Sequence, residues 1–357
     1  MANATHFFLG ANSGGGFQNL FERFCRSENH YDLLILKGGP GCGKSTMMRK
    51  IGEAMESLGE QVEYLHCSGD PDSLDGVHIP RIRTAVVDGT APHCIDARYP
   101  ASVERYVDLG CFYDVSAAKS ARKEIVYQTD SCSAAYRSAY RVLAAARTLE
   151  ENAEAILRPT LDYERLIRRT DGIIAREFRG KGNGDMNRYR FLRSLTCNGE
   201  IVRFDSVETI CPRVYALLDS NRVSSIMLER LYAAAYSGKY GAIICPDPEH
   251  MEQIQHLLIP ELGLAFISVS DETKLPFDAY RRIHLDELLS AEDRKCQRGK
   301  MRLTRKMVRT LRQEGIELLR QAKAEHDKLE ALYQVGLDFS GIDEITHREI
   351  DRITSYL

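Results

Sequence analysis

The sequence predicts an α/β fold written twice in 357 residues, each copy a small sheet-and-helix unit followed by a long helical segment. Three observations carry this. A glycine-rich turn, Gly38–Ser45, stands between an apolar run and a helix-forming run. Short words of sequence recur at offsets of 176 to 183 residues. Residues 116–178 and 286–335 are rich in Ala, Leu, Glu, Lys and Arg with few breakers, which is the composition of long helices.

The elements follow in order. Asp32–Leu36 reads as a buried parallel strand, and Thr46–Leu58 as a helix with Met48, Ile51, Met55 and Leu58 on one face and Gly59 as its stop. Gln61–Cys67 and Thr84–Asp88 read as the second and third strands. In the second copy the apolar strands are Val214–Leu218, Ala242–Cys245 and Leu264–Val269. The units are expected over 1–101 and 188–285, with a helical segment and linker over 102–187 and a helical C-terminal segment over 286–357. The glycines and polar residues of Arg179–Asp185 mark the join.

The repeat rests on Phe8-Leu9 recurring as Phe191-Leu192, and on Leu161-Asp162-Tyr163 recurring as Leu337-Asp338-Phe339. Between them, Cys67, Asp70-Pro71 and Ile79-Pro80 return as Cys245, Asp247-Pro248 and Ile259-Pro260. Gene duplication is the simplest account, against chance similarity of two α/β domains.

Gly38-Gly39-Pro40-Gly41-Cys42-Gly43-Lys44-Ser45 fits the phosphate-loop pattern G-x-x-x-x-G-K-[ST] without mismatch, and Thr46 opens the helix behind it. Glycines let successive N–H groups curl toward phosphates, and the helix turns its positive end to the same anion. ATP or GTP is the expected ligand, with Lys44 on the β/γ-phosphates and the Ser45 hydroxyl on Mg²⁺. Cys42 sits where a helix N-terminus can activate a thiol, or simply fills a small position.

Asp88 ends an apolar strand, the place from which such proteins hold Mg²⁺ through water, or else it caps a turn. No Glu follows it. Asp70, Asp72 and Asp75 are placed in the loop after the second strand. Asp70 is the candidate general base, though Asp-Pro and Asp-Ser steps also form turns. His93 and Asp96 lie nearby, His93 as a phosphate contact or a hydrogen-bonded loop histidine. Asn12–Gly16 is a flexible approach to a ligand or a turn.

In the second copy, Ser224 falls opposite Lys44 and Ser268 opposite Asp88, and Asp219–Ser225 has neither Gly nor Lys. That half is expected to be a degenerate, regulatory unit. On the C-terminal helix, Met301, Val308, Leu311 and Leu318 form an apolar seam, beside which Lys295, Arg298, Arg302, Arg305, Arg309 and Arg312 line one face. The stripe reads as a solvated face, as a surface for an acidic partner, or as the source of an arginine acting on the other half's nucleotide. The long helices are expected to pair as hairpins.

A net charge of -3 does not indicate nucleic-acid binding by the whole surface. Ten scattered cysteines without a C-x-x-C pair suggest neither a disulfide framework nor a zinc ribbon. With no signal-like N-terminus and no membrane-length apolar run, a cytoplasmic protein is expected. Oligomeric state is not readable.

Gly38–Thr46, His66–Gly76 and Asp88–His93 with Asp96 resemble an uncharacterised bacterial family of duplicated P-loop ATPases. The resemblance implies three-layer α/β/α P-loop NTPase units in both halves and favours ATP. Relatives often look intact in both loops, and here only the first is. The expectation is an Mg²⁺-dependent ATPase with one working site. The alternatives are a kinase of a small hydroxyl substrate using Asp70, and an ATP-sensing scaffold with negligible turnover.

Overall fold

A computed structural model describes residues 4–184, 187–270, 273 and 275–357; Asp185, at the end of the expected linker, lies outside them. The first half runs β1 (Thr5–Phe8), a hairpin of β2 (Gly10–Ser13) and β3 (Gly16–Asn19), α1 (Phe21–Phe24), β4 (Asp32–Lys37) and α2 (Lys44–Ser57). It continues with β5 (Glu63–His66), β6 (Leu74–Ile79), β7 (Thr84–Asp88), β8 (Glu104–Asp108), α3 (Val115–Ser120), α4 (Arg122–Leu157) and α5 (Tyr163–Glu177). The second half gives β9 (Arg188–Tyr189), a hairpin of β10 (Arg193–Thr196) and β11 (Gly199–Val202), α6 (Phe204–Ile210), β12 (Arg213–Leu218) and α7 (Ser224–Ser237). It closes with β13 (Ile243–Asp247), β14 (His250–Ile259), β15 (Leu264–Val269), β16 (Arg281–His284), α8 (Ala291–Tyr333) and α9 (Phe339–Thr354).

The protein is a mixed α/β fold with two six-stranded mixed sheets. Their orders are β1-β5-β6-β7-β4-β8 and β9-β13-β14-β15-β12-β16, and the parallel and antiparallel steps fall at the same places in both. The central strands β4 and β12 carry near-continuous apolar runs because both of their faces are covered. β8 shows that the first sheet extends past residue 101, where the sequence reading had placed helix.

Separate three-layer sandwiches do not form. Each sheet has a helical layer on one face. On the other, Phe7, Ile35 and Val87 of the first sheet and Val214, Ala265 and Ile267 of the second join one continuous core, with Phe21 and Phe24 of α1 and Val207 of α6. The third layer is thus common property. The hairpins merge as well, in a four-stranded sheet ordered β11-β10-β2-β3.

The duplicated words meet. Phe8 N–H donates to Phe191 C=O and Phe191 N–H to Phe8 C=O, both at 2.9 Å, the reciprocal pairing of a two-fold contact. Beside it, Arg190 makes a bidentate pair with Glu63 at 3.0 and 2.7 Å, and His78 Nδ1 lies 2.9 Å from the same carboxylate. Arg190 and Glu63 side chains are 3% and 2% exposed. Removing one partner leaves a bare buried charge, so Arg190→Ala is expected to cost about 3–5 kcal/mol. Urea denaturation of the variant checks this; a midpoint equal to wild type sinks it, and Arg190→Met with Glu63→Gln is expected to recover most of the loss.

The helices cross rather than fold back. α4 and α8 run antiparallel along each other, as Gln128 bonded to Glu325 C=O and Arg312 to Glu150 show. The seam carries Ile125, Cys132, Ala139 and Ala146 on α4, and Met301, Val308, Gly315, Ala322 and Leu329 on α8, each series at seven-residue steps. Met301 and Val308 were read correctly, whereas Leu311 and Leu318 sit beside the seam and small Gly315 and Ala322 within it. A Cβ on Gly315 would lie 2.5 Å from a Leu143 methyl. Beyond this pair, Leu166 and Ile173 of α5 enter the core beneath α7 of the second half, and Ile342 and Ile353 of α9 enter that beneath α2 of the first. Each half therefore lends its last helix to the other.

Candidate functional site

β4 and β7 lie side by side with Leu36 opposite Asp88, so the loop after β4 and the end of β7 emerge together. The loop needs its glycines: φ is +148° at Gly38, +72° at Gly41 and +79° at Gly43, backbone that other residues adopt at a cost. A Cβ on Gly38 would lie 2.6 Å from Cys42 Sγ. α2 begins at Lys44 with Gly43 as N-cap, and its axis carries the positive end of the helix to the loop.

Lys44 Nζ bonds Gly38 C=O at 2.8 Å and Gly39 C=O at 2.9 Å and lies 3.7 Å from Asp88 Oδ2. Asp88 Oδ1 accepts from the Thr90 amide and hydroxyl at 2.8 and 2.6 Å. Ser45 Oγ accepts from Leu74 N–H at 2.9 Å. Lys44 and Asp88 are brought together, with Ser45 next to Lys44 in the first turn of α2, and a hydroxyl and a carboxylate are hard oxygen donors of the kind that suits Mg²⁺. Among the described residues no side-chain carboxylate accepts from the amides of Gly38–Ser45. Cys42 is buried at 1% exposure and burial pushes its thiol pKa up, the behaviour of a packing residue.

Asp70 does not join this group. Its carboxylate accepts from Ser73 Oγ and the Asp72 amide and lies 3.3 Å from Lys323 of α8, which makes it a turn residue tied to the other half. Asp75, expected in the same loop as Asp70 and Asp72, lies instead on β6 at 4% exposure. Its Oδ2 has no hydrogen-bond partner and stands 3.4 Å from His93 Nε2. Burial raises its pKa; His93 opposes this, and the Asp88 charge adds to the rise. His93 stacks on Phe21 at 4.2 Å with its Nδ1 also unpartnered. Asp96 is exposed. Of Asn12–Gly16 only Gly14 and Gly15 form a turn, between β2 and β3: Asn12 is buried against Ser68 and Leu195 carbonyls and Tyr140, and Gly14 N–H bonds Glu249.

The second half closes over the loop from outside. Glu330 C=O and the Gln334 side chain lie 3.1 Å from where a Cβ on Gly41 would stand and Ile342 faces Gly43, while from the first half itself Tyr113 bonds Pro40 C=O. The part of α8 nearest the glycine loop is thus its C-terminal end. The arginine stripe stands elsewhere, with Arg305, Arg309 and Arg312 beside the second half's own loop.

That loop is sealed. Asp219 accepts from Asn221 and Ser224 amides at 3.0 and 2.6 Å, and Asp286 from the Ser220 amide at 3.1 Å. Ser224 Oγ bonds Ser268 Oγ at 2.9 Å, so the two residues aligned with Lys44 and Asp88 do meet, as a neutral pair.

Over residues 17–78, which include the glycine loop and most of β6, the chain is similar to the family described as Nephrocystin 3, N-terminal. No curated protein matches the chain, and no solved structure does. Among the described residues no helix is long and apolar enough to cross a membrane.

Proposed function

We propose that the protein is an Mg²⁺-dependent ATP hydrolase with one working phosphate loop, and that its two α/β units are copies of a P-loop unit of which the second has become structural and regulatory. The observation that carries this is the contrast between the two loops. The first leaves its amides without an internal carboxylate and holds Lys44 Nζ within 3.7 Å of Asp88. The second spends its amides on Asp219 and Asp286. The likeness to duplicated P-loop ATPases points the same way.

Loop amides and Lys44 would bind and orient the triphosphate. Mg²⁺, when bound, neutralises charge on the β- and γ-phosphates, and Ser45 and Asp88 are the residues to hold it. Asp75, buried with an Oδ2 that lacks a hydrogen bond and stands 3.4 Å from His93, would orient or deprotonate an attacking water. The kinase reading through Asp70 is less favoured, because that carboxylate is occupied by Ser73, Asp72 and Lys323.

Product analysis with ATP and Mg²⁺ tests the reading. ADP and phosphate are expected in equal amounts, with Asp75→Asn lowering turnover by about a hundredfold at unchanged nucleotide affinity and Asp70→Asn changing it little. Nucleotide binding with turnover at the water background would overturn the hydrolase and leave a nucleotide-sensing scaffold.

A further inference from the structure

A cavity of about 390 Å³ opens between the second half's loop and the α4/α8 pair, within the size range of small-molecule sites. One wall is apolar, from Leu195, Met301, Val308 and Ile316. The rest is dominated by donors: Ser220, Arg222, Arg305, Arg309 and Arg312. The three acids of the lining are already answered. Glu150 meets Arg222 at 3.3 Å and Arg312 at 2.8 Å, Glu154 meets Arg222 at 3.0 Å, and Glu200 meets Arg193 from outside the lining at 2.5 Å. Burial pushes Glu154 up to about 7, which removes part of its negative charge near neutrality. Ser220 Oγ is buried without a hydrogen-bond partner, whereas Arg222 Nη1 lies 3.5 Å from Asp247 Oδ2 outside the lining. Four arginines, Arg222, Arg305, Arg309 and Arg312, line the cavity against the three glutamates, and α8 carries no acid between residues 294 and 312.

We infer that this cavity is a second ligand site, taking a compact organic phosphate whose phosphate sits on Ser220 and the α8 arginines and whose body lies on the Met301–Ile316 wall. Guanidinium forks match a phosphomonoester bidentately, and the apolar wall requires more than an inorganic ion. A magnesium triphosphate does not fit the same place: Asp219 and Asp286 occupy the loop amides, and Ser224 and Ser268 stand where the cradle would need a lysine and a metal-holding carboxylate. The site is independent of whether the first half hydrolyses ATP.

Calorimetric titration with AMP and with glucose 6-phosphate, each up to about 5 mM so that millimolar affinities register, tests the inference on wild type, Lys44→Ala and Arg305→Glu. Arg305 is on the exposed face of α8, so its variant is expected to keep the wild-type melting temperature. At least one phosphomonoester should bind wild type and Lys44→Ala alike and bind Arg305→Glu at least about tenfold more weakly, the loss of one charge-assisted contact. Binding that vanishes in Lys44→Ala and ignores Arg305→Glu places the phosphate on the glycine loop and overturns the inference. So does failure of both probes to bind wild type.

Discussion

Lys44→Ala is expected to lower ATP turnover by about a thousandfold or more, the usual consequence of removing a fixed donor from developing phosphate charge. In the folded protein Nζ rests on the Gly38 and Gly39 carbonyls within 3.7 Å of Asp88, so phosphate would replace two neutral acceptors with stronger anionic ones. The variant should fold normally, because the carbonyls it releases border the open side of the loop. Lys44→Arg should not rescue, since a planar fork cannot enter a space shaped for a point charge. Ser224→Ala, at the matching place in the other half, should leave turnover unchanged. Parallel ADP release assays on the three variants decide it; wild-type turnover in Lys44→Ala would remove the glycine loop from the chemistry.

Acid should unfold the protein steeply. Burial holds His30, His66 and His256 down to about 3, each against an ordinary value of 6.5. His30 faces Phe24 C=O, His66 lies between Pro71 C=O and His6, and His256 accepts from the Ser268 amide. Below pH 6.5 the unfolded chain takes up protons on all three while the folded one does not, so their contribution is complete above 6.5 and is lost as pH falls toward 3. Each can remove up to about 1.4 kcal/mol per pH unit in that window. Glu63, whose pKa is held well below the carboxylate range by Arg190 and His78 despite its burial, adds to the loss at the acid end. Glu154 acts oppositely: it keeps its proton to about 7, so its contribution declines as pH rises from 4.5 to 7. Urea midpoints should fall by more than half between pH 7 and pH 5, and a flat profile would mean that these histidines are charged in the fold.

Much of the site was legible because its chemistry is local. The strand Thr84–Asp88 and the apolar run before Gly38 were readable from five or six residues each, and the two serines that the 180-residue offset set opposite Lys44 and Asp88, Ser224 and Ser268, touch in the fold. β6 was not legible: Leu-Asp-Gly-Val-His-Ile carries an Asp and a Gly where strands usually carry neither, so Asp75 was lost in a loop and Asp70 took its place. The helix partners were not legible either. Amphipathic stripes say that α5 and α9 must cover an apolar face, and nothing in Ile173 or Ile342 says whose. Ala139, Gly315 and Ala322 mark the α4/α8 seam by being small, which a search for large apolar residues overlooks.

The crossing of the last helices has a bearing on how the protein comes into being. While the chain is being synthesised, the first sheet has its strands by residue 108 but must wait for α9, which ends at residue 354, before the outer side of α2 is covered. The glycine loop likewise meets Glu330 and Gln334 only late. A ribosome-bound fragment would thus hold a nearly finished glycine loop with a raw apolar flank, and its cover would arrive with the final turns of helix. Such an order also gives the second half a task that needs no phosphate chemistry: it completes the first.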